Sequence, residues 1–167
     1  MVTAKGDLSM SLYTVLVSDH PLPTIDCTGF EELTVREMKE RYPITPDFPE
    51  QSWHLLDDDV IILNAPDESA FQKLHISEWD NYPSDLDWYN VCDYVYAVDG
   101  NWDEAFREAF LSYLHEHSQA LIGAELIQFW AGDLEQVLAV KRIVLADVTD
   151  SDLVMIKNNR NIRVEFE

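Results

Sequence analysis

Apolar and polar residues alternate along this chain in short, interrupted runs, and the periods of those runs define the elements. Leu12 to Val17 is an apolar, β-rich run closed by Ser18-Asp19-His20-Pro21 and reads as a buried strand, because proline cannot continue a ladder. Leu33 to Met38 carries a helix start, with Thr34 as N-cap, Glu37 completing a capping box and Leu33 stapling onto Met38. That helix ends near Tyr42. Pro43, Pro46 and Pro49 then form a rigid connector that no long helix crosses.

Val60 to Leu63 is the next strand, Asp67 to Gln72 one helical turn capped by Asp67, and Leu74 to Ile76 a strand-like alternation. Val91 to Val98 alternates more clearly, with Val91, Asp93, Val95 and Ala97 on one face and Cys92, Tyr94, Tyr96 and Val98 on the other. Asp99-Gly100 marks a turn, Asn101 a cap, and Glu104 the partner in its capping box. The helix that follows buries Phe106, Phe110, Leu111, Tyr113 and Leu114 and ends near residues 118–120. Leu126 to Trp130 and Val140 to Leu145 read as strands, joined through Gly132-Asp133 and a short segment of helix formers. Thr149 and Asp152 cap a helix running to Lys157, which Asn158-Asn159 stops in the left-handed conformation. Ile162, Val164 and Phe166 make a last, one-sided strand. Strands sometimes follow one another and sometimes flank a helix, with no fixed repeat. This order predicts an α+β fold, a mixed or mostly antiparallel sheet packed by two to three helices in a single domain over residues 10–167. Residues 1–9 lack an apolar h-region and read as a flexible extension.

Composition changes this picture in one respect. The chain has 167 residues with 47% hydrophobic content, enough for a core, yet it carries 32 acidic against 11 basic side chains, a formal net charge of -21. Between Tyr42 and Phe106 fifteen acids face one cation, Lys73, and four of the five tryptophans lie there. Phosphate backbones and anionic membranes are poor partners for such a chain, so nucleic acid and membrane binding are not expected. Two cysteines, Cys27 and Cys92, with no C-x-x-C pair, suggest a reduced, cytoplasmic setting.

Each motif with chemical potential has a plainer explanation. Asp99-Gly100-Asn101-Trp102-Asp103 begins like a calcium loop, but its sixth position is Glu104 where glycine is required and its twelfth is Phe110 where a bidentate glutamate is required. His115 and His117 are two apart, whereas a zinc helix needs histidines four apart. Cys27 sits beside Asp26 and Glu31, an anionic setting that hinders thiolate formation. No catalytic residue, metal ligand or cofactor is nominated.

What remains is an acidic and aromatic surface: Asp57, Asp58 and Asp59, then Glu78, Trp79, Asp80, Tyr82, Asp85, Asp87 and Trp88. Aromatics anchor interfaces while carboxylates steer a cationic partner. Alternatively, Trp79 and Trp88 fold back to cap the core. The leading expectation is a non-enzymatic acidic binding protein that masks a basic partner such as a toxin or nuclease, a likeness to immunity and inhibitor proteins in composition only. The alternatives are a protein whose acidity serves solubility, or a carboxylate or metal-dependent hydrolase whose site is assembled from distant residues.

Overall fold

The computed structural model describes residues 11–133 and 136–167. The expected extension over residues 1–9 lies outside the described residues, as does part of the segment after Asp133. In chain order the elements are β1 (Ser11–Ser18), β2 (Ile25–Asp26), β3 (Glu31–Thr34), α1 (Val35–Arg41), β4 (Ile61–Asn64), β5 (His75–Glu78) and β6 (Tyr94–Asp99). There follow α2 (Glu104–Glu116), α3 (Ser118–Leu121), β7 (Glu125–Ala131), β8 (Ala139–Ile143), α4 (Asp150–Asn158) and β9 (Ile162–Phe166). The fold is α+β, as the order of elements predicts. Residues 28–71 form one compact unit, and the segments on either side, up to 27 and from 72 onward, form another.

The larger unit is built on a seven-stranded sheet in the order β2-β5-β6-β1-β7-β9-β8. Every neighbouring pair is antiparallel except β8 and β9, which α4 connects in parallel. Because side chains alternate across a strand, each strand feeds two cores. Leu16, Tyr96, Val98, Leu126 and Val164 face the helices and meet Phe106, Phe110, Tyr113 and Leu114 of α2 and Leu153 and Ile156 of α4. Their alternates Val15, Val17, Val95, Ile127 and Phe129 form a second cluster around the buried Leu86. Each fully buried side chain of this size stabilises the fold by about 1.5–3 kcal/mol. The loop after β1 is pinned to the first core by two phenols: Tyr96 Oη accepts from Leu22 N at 2.9 Å, and Tyr113 Oη donates to the Pro23 carbonyl at 2.7 Å.

In the smaller unit β3 and β4 pair antiparallel, with Thr34 opposite Ile61, and α1 starts from the capping box that Thr34 and Glu37 form. The entry to β4 is tied to the helix start, since Val35 N donates to the Val60 carbonyl and Arg36 N to that of Asp58. Buried His54 closes the loop above. Its Nδ1 accepts from Gln51 N at 2.9 Å and Trp53 stacks on its ring at 3.7 Å.

Four local expectations are corrected. The strand expected from Val91 begins at Tyr94, because Asn90 Oδ1 accepts from Cys92 N at 2.9 Å and turns the backbone aside, leaving Val91 98% exposed. The cap of α2 is Asp103, not Asn101: its carboxylate accepts from Phe106 N at 2.9 Å after an extra turn through Trp102. The helix expected to reach residues 118–120 breaks at His117, and a separate turn, α3, follows. Asn159 ends α4 at φ -111°, so no left-handed asparagine is involved; its N–H returns to the Met155 and Ile156 carbonyls as the chain leaves for β9.

The cap of α4, like that of α1, is realised as the sequence predicts. Asp152 accepts from Thr149 N at 3.1 Å and pairs with Lys141 Nζ at 3.0 Å, and that ammonium, with the Thr149 bonds, holds its carboxyl below the usual range. Replacing Asp152 with Ala is expected to lower stability by about 1–2 kcal/mol near neutral pH. A carboxyl with a lowered folded pKa contributes fully above its unfolded pKa of about 3.9 and loses that contribution as pH falls through the folded value. Urea midpoints of wild type and D152A should therefore differ at pH 7 and converge on acidification.

Candidate functional site

The acidic surface divides between the two units. In the smaller one Asp57, Asp58 and Asp59 are all exposed in the turn that leads into β4. Asp58 is paired with Lys39 at 2.7 Å, and this ammonium lowers its pKa; Asp57 and Asp59 make no ion pair with a described residue. The same strand then shows its apolar side chains to solvent: Ile61 is 64% and Leu63 65% exposed. Period two places both on one face, with Glu32 directly across from Leu63.

In the larger unit the segment from Glu78 to Trp88 folds back over the sheet face that carries no helix. Trp79 and Tyr82 are half-buried against the second core, where Leu86, one residue after Asp85, is fully enclosed. Asp85 accepts from Gly132 N at 2.6 Å and so fastens the segment to the end of β7. Glu78, Asp80 and Asp87 point to solvent. Trp88 is 75% exposed and borders a hollow of about 290 Å³ with Val137 and Val140, both also exposed. Of the two alternatives for the aromatics, Trp79 and Tyr82 cap a core and Trp88 does not.

A second feature had no signal in the sequence. The ladder between β1 and β6 runs from Ser18↔Tyr94 to Val15↔Ala97 and stops. Beyond it, residues 11–14 stay paired with β7 while Val98 and Asp99 pair with β5, so the two central strands part. The cause lies at the exit of β6. Asn101 N donates to the Gln72 carbonyl at 2.9 Å, drawing the chain toward the β5 side, and Gly100 makes the bend at φ +138°. A Cβ on Gly100 would sit 2.3 Å from the Phe106 ring, so only glycine fits there. Trp102 follows at φ +53°, the only described non-glycine residue in the left-handed region, held by ring contacts to Phe106 and Phe110.

Between the parted strands lies a cleft of about 670 Å³. Tyr13 and Trp79, with ring centres 5.4 Å apart, are part of its lining, and so is Trp102. Gln128 forms part of the lining at 2% exposure. Its Nε2 donates to Thr14 Oγ1 at 3.0 Å across the β1–β7 register, and its Oε1 has no partner among the described residues. Lys157 and Arg160, from the end of α4 and the turn after it, complete the lining. Neither makes an ion pair with a described residue. Six other cations do, including Arg107 with Asp150 at 2.7 Å and Arg163 with Glu125 at 3.1 Å.

The motifs set aside in the sequence have structural employment. His115 Nε2 lies 3.3 Å from the Val148 carbonyl, and His117 packs edge-on against Tyr113. Burial pushes the Cys92 thiol up to about 11, with the Asp19 carboxylate adding to the shift, so it stays protonated at neutral pH. Burial likewise raises Glu125, against the pull of Arg163. Among the described residues no helix is long and apolar enough to cross a membrane. No protein-family model, curated protein or solved structure matches the chain.

Proposed function

We propose that this chain is a binding protein that covers a basic protein partner, in the manner of small acidic proteins that neutralise toxins or nucleases. The observation that carries this reading is the face of β4, where Ile61 and Leu63 stand exposed together with Glu32 across from them and Asp57–Asp59 leading in. Single exposed aliphatics are ordinary, but adjacent ones on a strand face, edged by carboxylates, have the make-up of an interface: apolar anchors within a charged rim. The rim selects a cationic partner and speeds its approach. Trp88, with Val137 and Val140 beside it and Asp85 and Asp87 before it, is an anchor of the same kind in the larger unit. Acidity that served solubility alone would require the carboxylates but leave the exposed aliphatics and Trp88 without a purpose.

The test is capture on immobilised protein at low salt, comparing wild type with an Ile61→Ser/Leu63→Ser variant and an Asp57→Asn/Asp59→Asn variant. The expected result is a retained protein of high isoelectric point that binds the serine variant at least about tenfold more weakly, a loss of ~1.4 kcal/mol or more. The asparagine variant should associate more slowly, and raised salt should abolish the difference. Equal retention by the serine variant, or association indifferent to salt, overturns the reading.

A further inference from the structure

We infer that the cleft between the parted strands β1 and β6 is a binding site for a ring-bearing small anion of nucleotide size, of which the nucleoside monophosphates are the simplest type. This site is independent of the protein-partner reading. Its volume of about 670 Å³ lies in the range of ligand pockets, roughly 300–1,000 Å³. The walls suit a flat body, since three large aromatic residues, Tyr13, Trp79 and Trp102, belong to the lining.

The charge of the ligand follows from the cations. In a chain with three acids for each base, six described cations are held by carboxylates, and of the four that are not, Arg36, Lys73, Lys157 and Arg160, the last two both lie in this lining. An ammonium and a guanidinium in one lining can receive phosphate or carboxylate oxygens, the guanidinium able to engage two at once. Arg160 already rests over the Trp130 ring at 5.8 Å, which limits its freedom without neutralising it. Asp99 is the one carboxylate among the described lining residues, and the rest of the net charge of -21 opposes an anion only at longer range. At physiological salt its field is screened over about 8 Å, so two cations in direct contact outweigh it.

Gln128 selects the rest of the ligand. A buried carbonyl oxygen without a donor has lost its water hydrogen bonds uncompensated, and a ligand that supplies an N–H restores one. The terminal torsion of glutamine is broad, so the carboxamide, which lies in the lining, can exchange its Thr14 bond for a contact with a ligand that donates to Oε1. Every nucleobase carries an N–H on its edge. Asp99, also in the lining, accepts from a sugar hydroxyl. Ring, N–H donor, hydroxyl and anion in one molecule of this size describe a nucleotide.

The test is titration of the full chain with AMP, GMP and UMP, each beside its nucleoside and beside inorganic phosphate, read by tryptophan fluorescence and calorimetry. The expected result is that at least one monophosphate binds with a Kd below about 1 mM and its nucleoside at least about tenfold more weakly. Lys157→Gln/Arg160→Gln, two exposed positions, should bring the monophosphate down to the level of the nucleoside. Gln128→Met should weaken nucleoside and monophosphate alike while sparing phosphate. The proposal is overturned if no monophosphate binds at about 1 mM, if nucleosides bind as tightly, if phosphate alone binds as tightly, or if K157Q/R160Q changes nothing. The Ile61→Ser/Leu63→Ser variant should bind nucleotide normally, so failure here and failure of the protein-partner reading are told apart.

Discussion

Gly100→Ala is expected to lower the unfolding free energy by about 3 kcal/mol, well above an ordinary loop substitution. Two costs combine. At φ +138° an alanine backbone is strained, by roughly 1–2 kcal/mol for a side chain in a left-handed conformation. In addition the new methyl meets Phe106 Cδ2 at 2.3 Å, Phe106 Cε2 at 2.5 Å and the Lys73 carbonyl at 2.9 Å, so a buried ring must leave its rotamer or the bend must open. Gly123→Ala separates the two. Gly123 sits at φ +81° with no atom within 4 Å of a built Cβ, so only the conformational cost applies there, about 1 kcal/mol. Urea midpoints of the two variants check the prediction; equal losses would mean that the Phe106 contact is not felt. Because the same bend parts β6 from β1, G100A should also change the fluorescence of Trp102 under native conditions, a change Gly123→Ala should lack.

Local rules carried most of the element assignments because they act over three or four residues. Thr34 with Glu37 and Thr149 with Asp152 form the capping boxes their spacing announces, and the alternation at Ile162, Val164 and Phe166 buries that face of β9. The failures arise where one side chain overrides a pattern. Val91 and Cys92 alternate correctly for β6, but the Asn90 carboxamide captures Cys92 N before a ladder can form. β3 was hidden for the opposite reason. Glu31 and Glu32 have low strand preference, and the strand exists because β4 supplies its partners, a long-range fact.

The candidate sites divide along the same line. An acidic loop with aromatics is visible in composition, and the position of Leu86 decides which aromatics are buried. With Leu86 enclosed beneath the sheet face, Trp79 and Tyr82 lie against the core and Trp88 turns outward. The cleft had no local signature at all. It arises because β1 and β6, some eighty residues apart in sequence, stay paired through Val15↔Ala97 and then follow different neighbours. In the sequence Lys157 is only the last residue of the predicted helix, and the tertiary fold sets it with Arg160 and Gln128 in one lining.

The aromatic residues supply the sharpest contrast between what holds the fold and what is left for binding. Phe110→Ala is expected to cost about 3–5 kcal/mol, the range for removing a buried phenyl ring. Phe110 is fully buried on α2 and its ring is 5.7 Å from Trp102, 5.9 Å from Phe106 and 6.2 Å from Tyr113, so its loss empties the centre of an aromatic stack. The neighbours cannot close over the void, because Tyr113 is tied to Pro23 and Trp102 is fixed by the bend before α2. Phe110→Leu keeps most of the volume and should cost less than half as much. Trp88→Ala removes a larger side chain, yet it should shift stability by no more than about 0.5 kcal/mol, since three quarters of that ring is already in water. Thermal and urea unfolding of the three variants check the order: a large loss for W88A would place that ring in the core, and with it would go its role as an anchor for a partner.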